Sequence, residues 1–206
     1  MSDTAGHGSF SGMRVEAINL VGSSNPKANS EAIKVPWQGD DGTEYLNLRE
    51  DPAAIARIAA ASEHPPLAGF LAAINGQGSL FSTVRLKVWA AAPSQAGEEP
   101  EFHSRVDMIF VHQPFNLVAD QYEDAVRRLV DLGMKDSADF LTVRLEILPC
   151  TFDNSPNNGV GLRIGFTARG ASAEQARTRW ALGLMKLQQA LLFISRAMRQ
   201  TLAVNE

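Results

Sequence analysis

The stretch Ser172–Ala203, SAEQARTRWALGLMKLQQALLFISRAMRQTLA, decides the architecture. Trp180, Leu184, Leu187, Leu191, Ile194 and Met198 recur at alternating spacings of four and three. At about 3.6 residues per turn these positions make one apolar stripe. Leu182, Met185, Leu192 and Phe193 are read as widening it. Arg177, Arg179, Lys186, Gln189, Arg196, Arg199 and Gln200 fall largely elsewhere. Ser172 is placed to cap the helix, since its hydroxyl accepts from an orphan backbone N–H. Glu174 suits the positive end of the helix dipole. Burying one large side chain is worth roughly 1.5–3 kcal/mol, so such a stripe requires a broad apolar partner. A helix lying across a β-sheet supplies one. The alternative is that the four-three seam meets its copy in a dimer.

The remaining 174 residues must supply that partner. Working outward, the strands before the helix form two similar units. Thr83-Val84-Arg85-Leu86-Lys87-Val88 matches Thr142-Val143-Arg144-Leu145-Glu146-Ile147. Each is followed by a polar loop, a second strand (Arg105 to His112, then Val160 to Ala168) and a helix (Leu117 to Leu132, then Ser172 onward). The fold class predicted is α+β: a mainly antiparallel sheet from a candidate duplication of a strand-strand-helix unit, with helices on one face and a long C-terminal helix. Val118, Tyr122, Ala125, Val126 and Leu129 form the buried stripe expected of the first unit's helix, with Asn116 or Asp120 at its start and Gly133 beyond its end.

Residues 1–12 are rich in Gly and Ser and read as a flexible tail. Residues 13–206 read as one α+β domain, divided into an N-terminal extension (13–78), a first ββα unit (79–134) and a second (135–206). In the extension, Met13 to Val21, Ile33 to Trp37 and Glu44 to Leu48 read as strands, the last two around the turn Gly39-Asp40-Asp41-Gly42. Asp51-Pro52 starts a helix over Ala53 to Ala61. His64-Pro65-Pro66 breaks it, and Leu67 to Ile74 forms a second short helix ended by Asn75-Gly76. Ile18 to Asn25 resembles the strand and Gly-Ser loop that cradles phosphate in flavodoxin-like reductases. That chemistry requires a helix N-terminus directly after the loop, and Pro36-Trp37 reads as extended.

The 206 residues carry a net charge of −4, 45% hydrophobic residues and one cysteine. A single cysteine excludes an internal disulfide and a multi-cysteine metal site. No basic and apolar leader pattern and no run of about 18 apolar residues is present, so the expected location is cytoplasmic, with no membrane partner. No metal site, catalytic constellation or cofactor is expected. His103 and His112 point to opposite faces, and His64 sits at a helix corner without a nucleophile or acid motif beside it. Cys150 reads as a buried or edge thiol. Glu98-Glu99-Pro100-Glu101 reads as a solvated loop. Gly159-Val160-Gly161-Leu162-Arg163-Ile164-Gly165 enters a strand instead of leaving one, which excludes a dinucleotide fingerprint.

Strand alternation sorts the sheet faces. The face opposite the helices collects Arg85, Lys87, Trp89, His103, Arg105, Asp107, Arg144, Glu146, Arg163 and Arg169. That is six cations and two carboxylates on a chain of net charge −4. Arg85, Lys87, Trp89, His103, Arg105, Arg144, Arg163 and Arg169 are therefore the candidate partner- or anion-binding residues. The expected function is that of a non-enzymatic binding or assembly protein, a homo-oligomer or partner binder acting through this face or the helix seam. Two alternatives stand beside it. One is a small-molecule binder or enzyme with a pocket between the long helix and a curved sheet. The other is anion or nucleic-acid binding, which lacks the paired aromatics of an RNA-recognition sheet.

Overall fold

The computed structural model describes residues 6–10, 13–19, 32–38, 43–93, 98–132, 140–153 and 158–203; of 6–10, 13–19 and 201–203 it describes the backbone course alone. The strands are β1 (Gly6–Phe10), β2 (Met13–Asn19), β3 (Ile33–Val35), β4 (Phe81–Ala91), β5 (Glu101–Phe110), β6 (Leu141–Phe152) and β7 (Gly159–Arg169). The helices are α1 (Ala59–Glu63), α2 (Pro65–Ile74), α3 (Ala119–Asp131) and α4 (Ala173–Ala203), with short 3-10 helices at Pro52–Arg57 and Gln113–Leu117.

The α+β class is as expected, but the sheet is mixed. Its order is β1-β2-β6-β7-β5-β4, with β3 also on β6. The four long strands pair antiparallel, whereas β2 and β3 both run parallel to β6. Parallel pairing was not foreseen because nothing local distinguishes it in strands this short. Gly6–Phe10, read from sequence as tail, pairs antiparallel with β2. Backbone N–H and C=O groups pair whatever the side chains, so Gly and Ser do not bar a strand. The Gly39-to-Gly42 turn, Gly133 and the Gly-Ser loop after Asn19 lie outside the described residues.

The α4 stripe is the middle of the core. Trp180, Leu184, Leu187, Leu191, Ile194 and Met198 are all buried. They join Val106, Met108, Val143, Leu145, Leu162, Ile164 and Phe166 of the sheet in one cluster. α2 adds Leu67, Phe70, Leu71 and Ile74 to that cluster, and α3 adds Tyr122, Ala125 and Leu129. Ser172 caps α4 as expected, its Oγ accepting from the Gln175 N–H at 3.1 Å. The Gln175 side chain returns the bond, accepting from the Ala171 N–H at 2.7 Å. Gly183 lets α4 meet the sheet, because a Cβ there would stand 2.1 Å from Phe166 Cζ.

The stripe is narrower than the sequence reading. Leu182, Met185 and Phe193 are 50%, 50% and 57% exposed. Leu182 lies two residues from both Trp180 and Leu184, which is about 200° around the helix from each. A single helix layer leaves that side to solvent. The helix expected over Ala53 to Ala61 is broken at Ile58, between the 3-10 helix and α1. Asp51 does not cap it; its carboxylate accepts from Arg57 Nη2 at 3.3 Å. Asn116 does not cap α3 either. It is buried, donating to the Phe110 carbonyl at 2.9 Å and accepting from the Phe110 N–H at 2.8 Å.

Glu44 to Leu48 is not a strand; its one ladder contact is the bridge between Gln38 and Glu44. The segment wraps the free edge of β4 instead. Tyr45 packs against a small cluster on the open side, while Leu46 and Leu48 reach the main core on the helix side. Trp37 donates its indole N–H to the Val84 carbonyl at 2.7 Å. The β4–β5 register shifts at Val84, between Thr83 and Arg85. This bulge turns Val84 to the open side, where it joins Ile33, Leu148, Cys150 and Phe152. An edge so covered is protected from pairing with other strands.

Candidate functional site: the open face of the sheet

Register places the central open-face residues in rows across β4, β5, β7 and β6. One row reads Arg85, Asp107, Arg163, Glu146. The next reads Lys87, Arg105, Gly165, Arg144. Between them, on the helix side, lies Leu86, Val106, Ile164, Leu145. Leu86 and Leu145 occupy the same place in the two similar strands, and Val106 opposes Ile164 directly. A half-turn about the Val106–Ile164 pair therefore exchanges the two open-face rows. Arg85 corresponds to Arg144, Arg163 to Arg105, Asp107 to Gly165 and Glu146 to Lys87.

The two rows differ in their chemistry. In the first, Arg163 gives Asp107 a bidentate bridge, Nε to Oδ1 at 2.7 Å and Nη2 to Oδ2 at 2.9 Å. These side chains are only 5% and 2% exposed. Arg85 lies over the Trp37 ring, 5.4 Å from its centroid. The N-terminal segment closes this end of the face, with Ile33 set against Gly161, where a Cβ would meet Ile33 Cδ1 at 2.8 Å. Arg163, expected to bind a partner, is instead a structural half of a buried pair.

In the second row a glycine stands where symmetry would put the aspartate. Among the described residues Arg105 has no carboxylate within ion-pair distance, and Lys87 has none. Lys87 Nζ lies 5.6 Å from the centroid of Trp89. Arg144 pairs with Glu146 in the neighbouring row at 2.9 Å and is half-exposed. Glu16 of β2 holds the register position beyond Arg144. A Cβ on Gly165 would touch only Arg144, at 3.5 Å or more, which is ordinary contact. Among the described residues nothing else stands above the Gly165 Cα, whereas Gly161 is covered.

Beyond this row the face ends in a polar network that the sequence reading split between strand and loop. Trp89 stacks on His103, centroids 5.0 Å apart and planes 9° from parallel. The Glu101 carboxylate receives His103 Nε2 at 3.2 Å and Arg169 Nε at 2.6 Å. His103 Nδ1 lies 3.0 Å from Thr167 Oγ1. A carboxylate needs a donor, so Nε2 carries the proton and Nδ1 accepts from the Thr167 hydroxyl. Burial lowers the His103 pKa below its ordinary value; Glu101 opposes this and Arg169 adds to it. Arg169 is neutralised by Glu101, which opens β5 and is not part of a solvated loop. Glu101 is the face residue that sequence reasoning missed, and strict alternation from His103 would have found it.

Other titratable groups are placed structurally. The His64 ring packs edge-on against Phe102 and Trp180, at 5.2 and 5.7 Å. Cys150 is buried under the N-terminal segment, and that burial, with the Asp107 charge, pushes its thiol pKa up to about 12. Such a thiol stays protonated and unreactive at neutral pH. Among the described residues no three His, Cys, Asp or Glu side chains are grouped to hold a metal, and no helix is long and apolar enough to cross a membrane. Comparison with protein-family models, with curated proteins and with solved structures finds no match for this chain.

Proposed function

We propose that the chain is a binding and assembly protein that docks an acidic protein surface on the half of its sheet that no described segment covers, a second copy of itself being the first candidate. The observation that carries this reading is the row Lys87, Arg105, Gly165, Arg144, which holds three cations and no carboxylate across four strands. The neighbouring row holds two cations and two carboxylates, of which Asp107 pairs within the row and Glu146 pairs with Arg144. A net charge of −4 leaves the rest of the chain acidic, so a copy offers the complementary surface. Electrostatic complementarity of this kind steers encounter and fixes register. The open half also lies beside a half that already packs Ile33, Val35, Trp37 and Tyr45 of the same chain.

The matching registers from Arg85 and Arg144 onward support descent of the two hairpins from one ββα unit. An anion- or nucleic-acid-binding reading shares the cations, but the Trp89 ring already lies against His103 and Lys87. For the pocket reading, the region between α4 and the sheet is filled by Trp180, Phe166, Leu184 and Leu187. Sedimentation velocity tests the proposal, comparing the chain with the Lys87→Ser, Arg105→Ser, Arg144→Ser triple variant at low salt. Loss of association with an unchanged melting temperature is expected. Association that survives the triple substitution removes this face from the assembly.

A further inference from the structure

We infer that Arg105, above Gly165, is a carboxylate seat: it binds an Asp or Glu side chain of an acidic polypeptide segment in the way that Arg163 binds Asp107. This rests on the proposal that the open face docks an acidic partner, and it names the atoms that would do so. The half-turn relating the two rows superposes Arg105 on Arg163 and Gly165 on Asp107. In the first row the carboxylate is built into the chain and sealed. In the second it would come from outside, and among the described residues only Arg144 stands within 4 Å of the place a Gly165 side chain would take. Lys87 stands one strand to one side of Arg105, and Arg144 two strands to the other. At about 4.8 Å per strand the three cations span about 14 Å, enough for several carboxylates of an extended acidic segment.

The chemistry of the face favours a carboxylate over a phosphodiester. The guanidinium–carboxylate fork is already used on this face by Arg163 with Asp107, while Arg169 bonds Glu101 through Nε and Arg144 reaches one Glu146 oxygen through both Nε and Nη2. Bidentate Arg–carboxylate pairs are the stronger, geometrically specific kind. Nucleic-acid binding on a sheet depends on free aromatic planes for base stacking. Trp89, the one indole beside this row, is engaged by His103 at 5.0 Å.

The test is a titration of the intact chain with an oligoaspartate peptide at low salt, followed by tryptophan fluorescence, with oligodeoxythymidylate as competitor. Two variants accompany the wild type. Arg105→Gln removes the fork. Gly165→Asp supplies the carboxylate internally, with its Cβ in ordinary contact. Both are expected to weaken oligoaspartate binding by about tenfold or more, as for loss of one charge-assisted pair. Gly165→Asp is also expected to raise the melting temperature, which separates a filled seat from a misfolded chain. Unchanged affinity in Gly165→Asp would overturn the inference. So would absence of oligoaspartate binding by the wild type, or its displacement by oligodeoxythymidylate at far lower concentration. Association of the chain with itself is read separately: a salt-sensitive oligomer indifferent to Gly165→Asp would keep the docking face and discard the seat. A monomer that binds oligoaspartate through Arg105 would keep the seat and discard self-assembly.

Discussion

The Asp107–Arg163 pair and its unpaired counterpart Arg105 give a prediction with an internal control. Both paired side chains are almost wholly out of water, at 2% and 5% exposure, and are joined by two short bonds. Removing one member leaves the other buried without its counter-charge, which costs about 3–5 kcal/mol. Asp107→Leu and Arg163→Met should each lose that much from a total stability of about 5–15 kcal/mol. With an m-value of about 2 kcal/mol/M, the urea midpoint should fall by about 1.5–2.5 M. The double variant Asp107→Leu/Arg163→Met should return to within about 1 kcal/mol of the wild type or exceed it, since an apolar pair carries no desolvation penalty. The non-additivity in a double-mutant cycle is then about 5 kcal/mol or more. Arg105→Met, at the symmetry-related position without a carboxylate, should change stability by less than about 1 kcal/mol. Single losses below about 1 kcal/mol that simply add would mean that the pair is not a sealed unit, and an Arg105 as costly to remove as Arg163 would mean that it is not a free counterpart.

Three further outcomes follow from the packing and the titration of the face. Gly183→Ala drives a Cβ to 2.1 Å from the Phe166 ring and should destabilise by about 1–3 kcal/mol or more, read as a lower melting temperature; a neutral result would mean that α4 does not seat as described. Leu191→Ala on the buried stripe should cost about 2–5 kcal/mol, whereas Phe193→Ser on the outer side should stay within about 0.5 kcal/mol; denaturation midpoints decide, and comparable losses would restore the wide stripe. Because the His103 pKa is lowered in the fold, mainly by burial, the unfolded chain takes up the proton first as pH falls below about 6.5. Stability from this group is therefore present above that pH and declines below it, and His103→Gln should flatten that part of the urea-midpoint profile.

Much of this fold is legible in local pattern. The four-three spacing from Trp180 to Met198 marks a buried stripe, and period-two alternation separates Val143, Leu145 and Ile147 from Arg144 and Glu146. What is not legible depends on strand order and on distant cover. Asp107 meets Arg163 only because β5 lies beside β7, so six apparent surface cations included one that is sealed. Arg85 lost its exposed role to Trp37, which is 48 residues earlier in the chain. The bulge at Val84 leaves no signature in a run of β-formers. The width of the α4 stripe failed for a related reason, since apolar residues on a helix do not announce how many layers will cover them. The candidate residues the sequence singled out do share one face, but the structure divides them. Arg163 is buried, Arg169 and Arg144 are paired, Arg85 is covered, and Lys87 and Arg105 lie beside the Trp89–His103 stack.

If this row of cations assembles the protein with an acidic surface, the mass in solution depends on salt. Light scattering at about 0.1 M and about 1 M salt brackets a fall in screening length from about 10 to about 3 Å. A dimer or larger species is expected at the lower salt that dissociates at the higher. An oligomer indifferent to salt would contradict it and move the contact to the exposed apolar side of α4, at Leu182, Met185 and Phe193. A monomer at both salts would contradict self-assembly outright.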